Sequence, residues 1–480
     1  MSGHFMAQQQ FKFILLLILS STVFLSVLDI FIVNVALPSI QKGLLASDAD
    51  LQFVIAAYVI AYAIFLIYGS KVGDKFGRKK VLIFAMLGFT IASFLCGVVQ
   101  SPLQLNLSRA LQGICAAFMV PQGLTLIQTI FSGKEERTKA LGIYGSIAGI
   151  ASVAGQFLGG LLPVVHMDIA PFGAIDGWRL IFLINIPIGF FSALAAFKYL
   201  PADQPSGTEH FDYRGLLLLT VFLLSLLFPL IQGRELGWPL WSILLLLLSA
   251  PVFCMLLFQQ NSRLKKNAAT LLNLDLFRDH YFKSGIIISF FYFIAQDSYF
   301  LITGMLMQDG FHISSAYVGV LFVLQGIGYV VGSILSARLI VIYGDKVIMA
   351  AVLLMIFSLI GHLICLRAHQ PAYGIYLLLF SYGIGCGSVL PSLMSFSLKT
   401  IPASFAGNAS GVFSTAQQTA IALGVALTGG VFFYRLENGL ALADFIAAYR
   451  WATYLNMLAL VIVFVLLWKV SFQKKTGRKT

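Results

Sequence analysis

Long apolar runs, each close to 20 residues and separated by short polar connectors, constrain this chain most. An α-helix needs about 20 apolar residues to cross the hydrocarbon core of a bilayer, whereas a membrane β-strand needs only ~9 to 11 residues of alternating polarity. The charged fraction is 10% and the mean hydropathy is +0.91, whereas an ordinary soluble protein is about 25% charged. We therefore predict an all-α integral membrane protein.

The apolar runs predict fourteen transmembrane helices. They cover residues 13–37, 51–69, 81–99, 103–131, 140–163, 179–199, 215–232, 240–258, 284–308, 315–341, 347–366, 373–398, 407–433 and 451–470. The runs at 215–232 and 240–258 are clearly apolar, but a peripheral position stays open for them.

Basic residues are unevenly distributed between the connectors. Most of the 31 Lys and Arg lie at the termini and in every second connector, including Lys134–Lys139, Arg263–Lys283 and Lys474–Lys479. The positive-inside rule then predicts that both termini are cytoplasmic, as an even number of spans requires. The net charge of +12 is explained by loops that face anionic lipid, so no nucleic-acid partner is expected. The first apolar run is too long for a signal-peptide core and should remain attached.

Motifs of enzymes and metal sites are missing from the sequence. The cysteines lie in apolar runs without C-x-x-C spacing, and the seven histidines are scattered. There is no nucleophile elbow, P-loop or HExxH motif. We expect no enzyme activity, no cofactor and no metal site.

Glycine, proline and aspartate positions repeat along the chain at separations of 268 to 270 residues. The pairs are Gly142 and Gly411, Gly155 and Gly424, Gly160 and Gly429, Gly113 and Gly383, Pro121 and Pro391, and Asp29 and Asp297. Several nearly equal separations in the same order indicate two related six-helix halves.

The repeat predicts how the chain is divided. Residues 1–200 form an N-terminal six-helix bundle, and residues 280–471 form a C-terminal one. Residues 201–279 hold a linker, PADQPSGTEHFDYRG, two inserted helices and a cytoplasmic connector. Residues 472–480 form a cytoplasmic tail. Two related bundles around a site at the midplane are typical of secondary transporters.

The connector GSKVGDKFGRKK, between the second and third apolar runs, combines a turn, one acid and five basic residues. Its glycines are Gly69, Gly73 and Gly77, and Asp74 can pair with Arg78 in one conformation of the halves. We interpret it as a gating loop whose rearrangement releases the closed state. The alternative, an anchor on anionic lipid, explains the lysines but not Asp74 and the glycines.

Several motifs together resemble the major facilitator superfamily, and specifically its 14-helix drug:proton antiporter family. They are GSKVGDKFGRKK, LDIFIVNVALP from Leu28, RALQGICAA from Arg109, WRLIFLINIPIG from Trp178, FDYRG from Phe211, GRELGWP from Gly233 and AGNASGVFSTAQQTAIALGVA from Ala406. The resemblance implies the major facilitator fold, with two six-helix bundles and two inserted helices. It also implies multidrug efflux driven by protons.

Two segments depart from the family pattern. GQFLGG in the fifth span has Gln156 where the family motif has proline, so a bend there would depend on glycine. We predict a hinge formed by Gly145, Gly149, Gly155, Gly159 and Gly160, with plain tight packing as the alternative. In the second-half copy of the basic connector, GSILSARLIVIYGDK, Ala337 replaces the aspartate.

Asp29 and Arg109 are charged residues within apolar spans, where a charge costs roughly 2.5 to 3.5 kcal/mol. Counted from the outer ends of their helices, they lie ~12 Å and ~9 Å deep, so they could pair. Protonation of Asp29 would then compete with its contact to Arg109, which is a mechanism for proton coupling. A static ion pair that only joins two helices is the alternative.

Asp297, near the centre of the ninth span, is the second-half counterpart of Asp29 and a second candidate for proton coupling or for binding a cationic ligand. A hydrogen-bonded acid buried between helices is an equal alternative. Asn34, Gln112, Gln417 and Gln418 are candidates for lining a substrate cavity, and interhelical hydrogen bonds are equally compatible with them.

These observations predict a proton-coupled secondary transporter that exports lipophilic, including cationic, drugs or toxic compounds by alternating access. An exporter of a specific metabolite, peptide or siderophore is the alternative within transporters, and a transport-inactive receptor or scaffold is the alternative from another class. The expected partners are a small-molecule substrate, protons and the lipid bilayer of the bacterial plasma membrane. We expect a monomer.

Overall fold

The computed structural model describes residues 2–131, 134–165, 167–169, 173–202, 211–266, 268–367, 370–371, 374–401, 406–436, 439 and 441–475. Residues 203–210 of the predicted linker and 476–480 of the predicted tail lie outside these ranges.

The N-terminal half is helical throughout its apolar runs. Its helices are α1 (Ser2–Leu44), α2 (Asp48–Phe76), α3 (Arg78–Val98), α4 (Pro102–Ile130), α5 (Lys134–Leu161), α6 (Gly177–Leu183) and α7 (Asn185–Tyr199). Helices α6 and α7 are separated only by Ile184 and together form the sixth span. A 3₁₀ turn, Leu162–Val164, and an antiparallel hairpin of β1 (Met167–Ile169) and β2 (Gly173–Ile175) lie between α5 and α6.

The inserted helices are α8 (Tyr213–Glu235) and α9 (Leu240–Lys265), and a 3₁₀ turn, Leu274–Arg278, follows them. The C-terminal half contains α10 (His280–Met305), α11 (Ser315–Tyr343), α12 (Lys346–Cys365), α13 (Gly374–Ser397), α14 (Ala406–Gly424), α15 (Gly430–Leu436) and α16 (Leu442–Lys475). A π-helical turn at Leu306–Gly310 extends α10, and a second at Val425–Gly429 joins α14 to α15. Strands β3 (Leu366–Arg367) and β4 (Gln370–Pro371) form another small hairpin.

Fourteen helical segments in the described ranges are long and apolar enough to cross a membrane. Fourteen helices of spanning length and apolar composition are therefore confirmed, and the segments at 215–232 and 240–258 are among them. The helices extend beyond the apolar runs; α1, for example, reaches Leu44 rather than residue 37. This difference arises because a helix continues its backbone hydrogen bonds into the polar boundary of the bilayer, where side-chain polarity no longer marks its end.

The repeated glycines make equivalent contacts in the two halves. A Cβ on Gly113 of α4 would lie 2.1 Å from the carbonyl oxygen of Tyr58 in α2, and one on Gly383 of α13 would lie 2.0 Å from that of Gln325 in α11. Only glycine permits such close backbone approach without displacement of the neighbouring helix. The sequence repeat therefore corresponds to the same helix-to-helix contact in each half.

Two further glycine pairs also lie at close contacts between helices. Gly155 packs α5 against α1, and Gly424 packs α14 against α10. Gly160 and Gly429 instead contact the opposite half, at Ser315 in α11 and Gln52 in α2, respectively. The two halves thus meet through pseudo-equivalent surfaces, α5 with α11 and α14 with α2.

The inserted helices α8 and α9 pack mainly against each other, and α8 also contacts α2. Asp212, at the start of α8, accepts hydrogen bonds from Gln259 (2.9 Å) and Gln260 (2.7 Å) of α9. This buried carboxylate, within the FDYRG motif, joins the two inserted helices at one end.

The basic connector differs from the expected loop. Helix α2 continues through Phe76 and α3 begins at Arg78, so Gly77 alone interrupts the helical conformation. Gly77 has φ = 96°, a backbone conformation that L-residues rarely adopt. The charged side chains of this segment therefore project from two helix ends rather than from a flexible loop.

Candidate functional site

A cavity of about 230 Å³ lies between the two halves. Its walls are formed by α1, α2, α4 and α5 from the first half and by α10, α11, α13 and α14 from the second. Three of the sequence-predicted residues line it: Asp297, Gln417 and Gln418. The other two candidates for the cavity, Asn34 and Gln112, are buried but do not line it.

Asp297 is the charged side chain that α10 contributes to the cavity. It is 7% exposed, and within the part of the chain that the structure describes it makes no hydrogen bond or ion pair. No other acidic or basic residue contributes to the described lining. The cavity therefore presents a single carboxylate among apolar and neutral polar groups, which suits it to exchange protons or to attract a cation.

Aromatic rings form much of the remaining surface. Phe31 of α1 and Phe300 of α10 meet edge to face across the two halves, with centroids 5.3 Å apart. Phe293, Tyr62 and Tyr329 also line the cavity. Such rings bind ligands through apolar area and through the charge distribution of their faces.

Three cavity glutamines were missed as lining candidates from the sequence. Gln156, Gln296 and Gln325 come from α5, α10 and α11. Each is a polar residue in an apolar span, and Gln156 already stood out as a departure from a motif. A polar residue in an apolar span is expected to avoid lipid. Its position in the sequence does not indicate which of these side chains meet in the same cavity.

Asp29 lies outside the cavity lining, in a polar network between α1, α4 and α7. Arg109 Nη1 donates to Asp29 Oδ2 in an ion pair whose side chains are 1% and 0% exposed. Gln112 Nε2 and Asn185 Nδ2 each donate to Asp29 Oδ1 at 3.1 Å. The structure thus brings together the predicted pair, Asp29 and Arg109, and it adds Gln112 and Asn185 as hydrogen-bond donors to the carboxylate.

Arg109 has further partners that hold it in place. Its Nε donates to the carbonyl oxygen of Val54 (3.0 Å), its Nη1 donates to Gln112 Oε1 (2.8 Å), and its guanidinium lies 4.5 Å from the ring centroid of Tyr58. A buried charge pair of this kind requires such satisfaction of its remaining donors to offset the cost of desolvation.

Tyr58 connects this network to the cavity. Its hydroxyl lies 2.9 Å from Ser26 Oγ, and Ser26 lines the cavity. The same ring lies over the Arg109 guanidinium. Any movement of α1 that changes the cavity wall at Ser26 therefore acts directly on the surroundings of the ion pair.

Asp74 and Arg78 form an ion pair across Gly77, at the junction of α2 and α3. Lys71 donates to the carbonyl oxygen of Thr270 at 3.1 Å, which links the end of α2 to the segment after α9. The predicted partners of the gate are thus in contact.

The other two glycines of the predicted gate pack α2 against α4. Gly69 lies against the backbone of Ala117, and Gly73 lies against the side chain of Gln122. Gln122 Nε2 also donates to the carbonyl oxygen of Gly69 at 2.7 Å. These glycines therefore permit close contact between two helices of the same half.

The glycines predicted as a hinge in α5 fall into two groups. A Cβ placed on Gly145 or Gly149 would have no atom of another described helix within 4 Å, whereas Gly155 and Gly159 lie against the α1 backbone and Gly160 against α11. Helix α5 is continuous from Lys134 to Leu161. Close packing therefore explains three of the five glycines in this conformation, and a hinge there stays a prediction.

At the end of the bundle that holds the α1–α2 connector, the halves are joined by polar contacts. Lys42 forms an ion pair with Asp309 at 3.1 Å, and Gln308 Nε2 donates to the carbonyl oxygen of Val35 at 2.7 Å. Gln308 and Asp309 both belong to the π turn that extends α10. This turn therefore supplies two of the side chains that join the halves at that end.

A larger groove of about 520 Å³ lies between α2, α3 and α4. Its lining includes Phe84, which is strongly exposed, and Lys80. All of its lining residues belong to the first half. The central cavity is the better candidate for transport because both halves form it.

A sequence model described as "Major Facilitator Superfamily" matches residues 19–425 and 285–480. The "Probable actinorhodin transporter" of Streptomyces coelicolor is 32% identical over 417 residues, which cover 85% of this chain and 70% of that protein. The "Puromycin resistance protein pur8" of Streptomyces alboniger is 32% identical over 438 residues, with coverage of 88% and 83%. The "Multidrug resistance protein Stp" of Mycobacterium tuberculosis is 29% identical over 419 residues, with coverage of 85% and 73%.

Solved transporter structures share the fold. A bacterial homologue of the human lysosomal transporter Spinster, inward-facing and unoccupied, superposes with a TM-score of 0.68 at 16% identity and covers 98% of this chain and 99% of that one. The xylose transporter XylE from E. coli, in a partially occluded inward-open conformation, gives a TM-score of 0.64 at 12% identity, with coverage of 95% and 98%.

Proposed function

The chain belongs to the Major Facilitator Superfamily, and from that premise we propose that it is a proton-coupled exporter of lipophilic, including cationic, drugs or toxic compounds. The observation that carries this proposal is the central cavity. Both halves build it, and among the described residues that line it one side chain is charged, that of Asp297. The names of its relatives, which include actinorhodin transport, puromycin resistance and multidrug resistance, support export as the direction.

Transport would proceed by alternating access, with residues 1–200 rocking against residues 280–471 around the cavity. The polar contacts at the α1–α2 end, such as Lys42 with Asp309, would close the outer side. The positive-inside rule assigns that end to the outside and both termini to the cytoplasm of a bacterial plasma membrane. The ion pair of Asp74 and Arg78 would act as the gate on the cytoplasmic side. We expect the transporter to work as a monomer.

Coupling would depend on exchange of partners at Asp29. When a proton enters, the neutral carboxyl no longer attracts Arg109, and the guanidinium keeps Val54, Gln112 and the Tyr58 ring as partners. The contact between Tyr58 and Ser26 would pass this change to the cavity wall. Substrate leaves outward and the proton leaves inward, so the charge on Asp29 is restored in each cycle.

Asp297 would be the group on the substrate side. A cation that enters the cavity can pair with the Asp297 carboxylate, because no described residue of the protein already forms an ion pair or hydrogen bond with it. In the absence of a cation, a proton can neutralise the same carboxylate, which avoids the cost of an isolated buried charge. Proton and cation would then occupy Asp297 alternately.

The proposal is tested in an efflux-deficient bacterial host and in proteoliposomes. We expect the chain to confer resistance to lipophilic compounds and to lower their uptake, with a larger effect at acidic than at alkaline external pH. Purified protein in proteoliposomes should move protons when substrate is added. Resistance or transport that does not depend on a proton gradient would contradict the coupling, and no transport of any compound in a panel of cations and neutral molecules would contradict export.

A further inference from the structure

We infer that the central cavity is selective for compact, planar compounds, cationic or neutral, whose edges carry several hydrogen-bonding groups. This inference rests on the proposed function and defines the substrate class of the same cavity. The observation behind it is a set of buried amides with free hydrogen-bonding capacity. The sequence singles out Gln156 and Gln418 separately but does not indicate that they belong to one set.

Four glutamines that line the cavity are between 2% and 6% exposed: Gln156, Gln296, Gln325 and Gln418. None of the four makes a hydrogen bond within the described protein, and the side-chain carbonyl oxygen of each is buried in the cavity wall, where a turn of the amide about its last torsion presents it to a ligand. An amide offers two donors and two acceptor positions. These residues therefore bring a large unused hydrogen-bonding capacity to one small space.

Buried glutamines elsewhere in this chain are engaged. Gln112 and Gln260 hydrogen-bond to Asp29 and Asp212, and Gln308 donates to a backbone carbonyl of α1. Gln52, beside Gly429, is also unpartnered, but it does not line the cavity. Asn34 is likewise a buried amide without a described partner outside the lining, whereas four such amides, Gln156, Gln296, Gln325 and Gln418, line the cavity.

An unsatisfied buried amide is costly, so a ligand that satisfies it is favoured over one that does not. A purely apolar ring system would displace water and leave the amides unpaired. A site of this kind rejects ligands that lack the matching polar group more strongly than a hydrophobic pocket rejects a wrong shape. The amides therefore select for ligand hydroxyl, carbonyl or amide groups.

The arrangement of the amides indicates where those groups must be on the ligand. Gln156 belongs to the first half, whereas Gln296, Gln325 and Gln418 come from α10, α11 and α14 of the second. A ligand that reaches all of them needs polar groups on more than one edge. The aromatic rings in the lining favour flat faces, and a volume of about 230 Å³ suits two or three fused rings because drug-sized pockets begin at roughly 300 Å³.

The test compares three probes for binding to the purified protein in lipid nanodiscs, by isothermal titration calorimetry without a proton gradient. The probes are a tetrahydroxyanthraquinone, its tetramethyl ether, which keeps the rings but loses every donor, and tetraphenylphosphonium, a cation without hydrogen-bonding groups. Wild-type protein should bind the hydroxylated compound at least tenfold more tightly than its ether. Equal binding of the two, or no binding of either, overturns the inference.

Substitutions assign the preference to the amides. Gln325→Met and Gln418→Met keep the side-chain volume but remove the polar atoms, and each should reduce the preference at least threefold without a change in tetraphenylphosphonium affinity. Gln52→Met is the matched control, because it removes an unpartnered buried amide outside the cavity and should preserve the preference. Thermal unfolding of each variant identifies those that fold. A preference that persists in both folded cavity variants overturns the inference.

The outcomes also separate this inference from the proposed function. If the binding preference is present but transport does not depend on protons, the proposed coupling fails and the substrate class stands. If transport is proton-coupled but hydroxylated and methylated probes bind alike, the export function stands and the substrate class fails.

Discussion

Asp29 and Asp297 occupy repeat-related positions in the two halves and are both buried, but their surroundings are opposite. Asp29 accepts from Arg109, Gln112 and Asn185. Asp297 has no protein partner among the described residues and lines the cavity. The repeat has therefore preserved the place of a carboxylate while the two halves have given it different chemistry.

The sequence of the second half explains the difference. At the separation of 270 that relates Gly113 to Gly383, the counterpart of Arg109 is Leu379 and that of Gln112 is Tyr382. Both counterparts are buried, and Tyr382 stacks on Tyr299 with centroids 4.2 Å apart. The second half thus replaces the cation and amide that hold Asp29 with apolar and aromatic packing. We interpret Asp29 as the carboxylate that protein donors hold in this conformation and Asp297 as the carboxylate that is open to ligands.

The largest expected effect is a loss of stability when Asp29 is deprived of its ion-pair partner, the guanidinium of Arg109. Arg109→Leu should lower the free energy of unfolding by about 3 to 5 kcal/mol, because it leaves a buried carboxylate without its partner. Asp297→Leu should cost much less, because it strands no partner. Thermal unfolding of the detergent-solubilised proteins measures both. Equal costs for the two variants would contradict the proposed contrast.

The next effect concerns proton coupling. Asp29→Asn should reduce substrate-induced proton movement in proteoliposomes at least tenfold, because the amide cannot take up and release the proton. Asp29→Glu is the control and should retain measurable coupling. Proton movement is expressed per folded protein, since this variant also disturbs the ion pair. Unchanged coupling would exclude Asp29 as the proton site.

Charge recognition should change at the other carboxylate. Asp297→Asn should weaken the binding of a cationic substrate about fivefold, ~1 kcal/mol, and leave the binding of a neutral one unchanged. Titration of both ligands against the purified variant makes the comparison. An equal loss for both ligands would indicate that Asp297 supports the shape of the cavity rather than reading charge.

The smallest expected effect is a slower turnover after substitution of Asp74, which is partly exposed. Asp74→Asn removes the ion pair with Arg78, and a pair at this exposure contributes about 0.2 to 1 kcal/mol. We expect turnover to slow about two- to threefold while equilibrium binding of substrate stays the same. Initial rates and binding isotherms for the same preparation check this. A loss of affinity with normal turnover would argue against a gate.

Much of the fold could be predicted because the bilayer reduces the choice of structures. A run of about 20 apolar residues has to form a helix, since each backbone polar group needs a partner within the segment. The residues at which the helices begin and end were less predictable, as the basic connector between α2 and α3 illustrates. Its glycines and charges predicted a loop, but lysine, arginine and aspartate are compatible with a helix end, and only Gly77 leaves the helical conformation.

The candidate site was predictable only in part. The depths of Asp29 and Arg109 along their helices predicted that they could meet, because helical rise is regular. Asn185 could not be found in this way, because its contact depends on how α7 packs against α1. Gln112 was expected in a substrate cavity, yet it lies in the Asp29 network, since polarity within a span indicates an inward direction but not which interior site is reached.

The sequence by itself determined the class of protein, the number of spans, the twofold repeat and the family resemblance, because hydrophobic length and glycine spacing are properties of the chain alone. Only the tertiary structure decided that Asp29 is held by three donors and that Asp297 faces a cavity with unpartnered glutamines. The physical reason is that the environment of a buried polar group is set by side chains from several helices, and their convergence depends on helix rotation and packing.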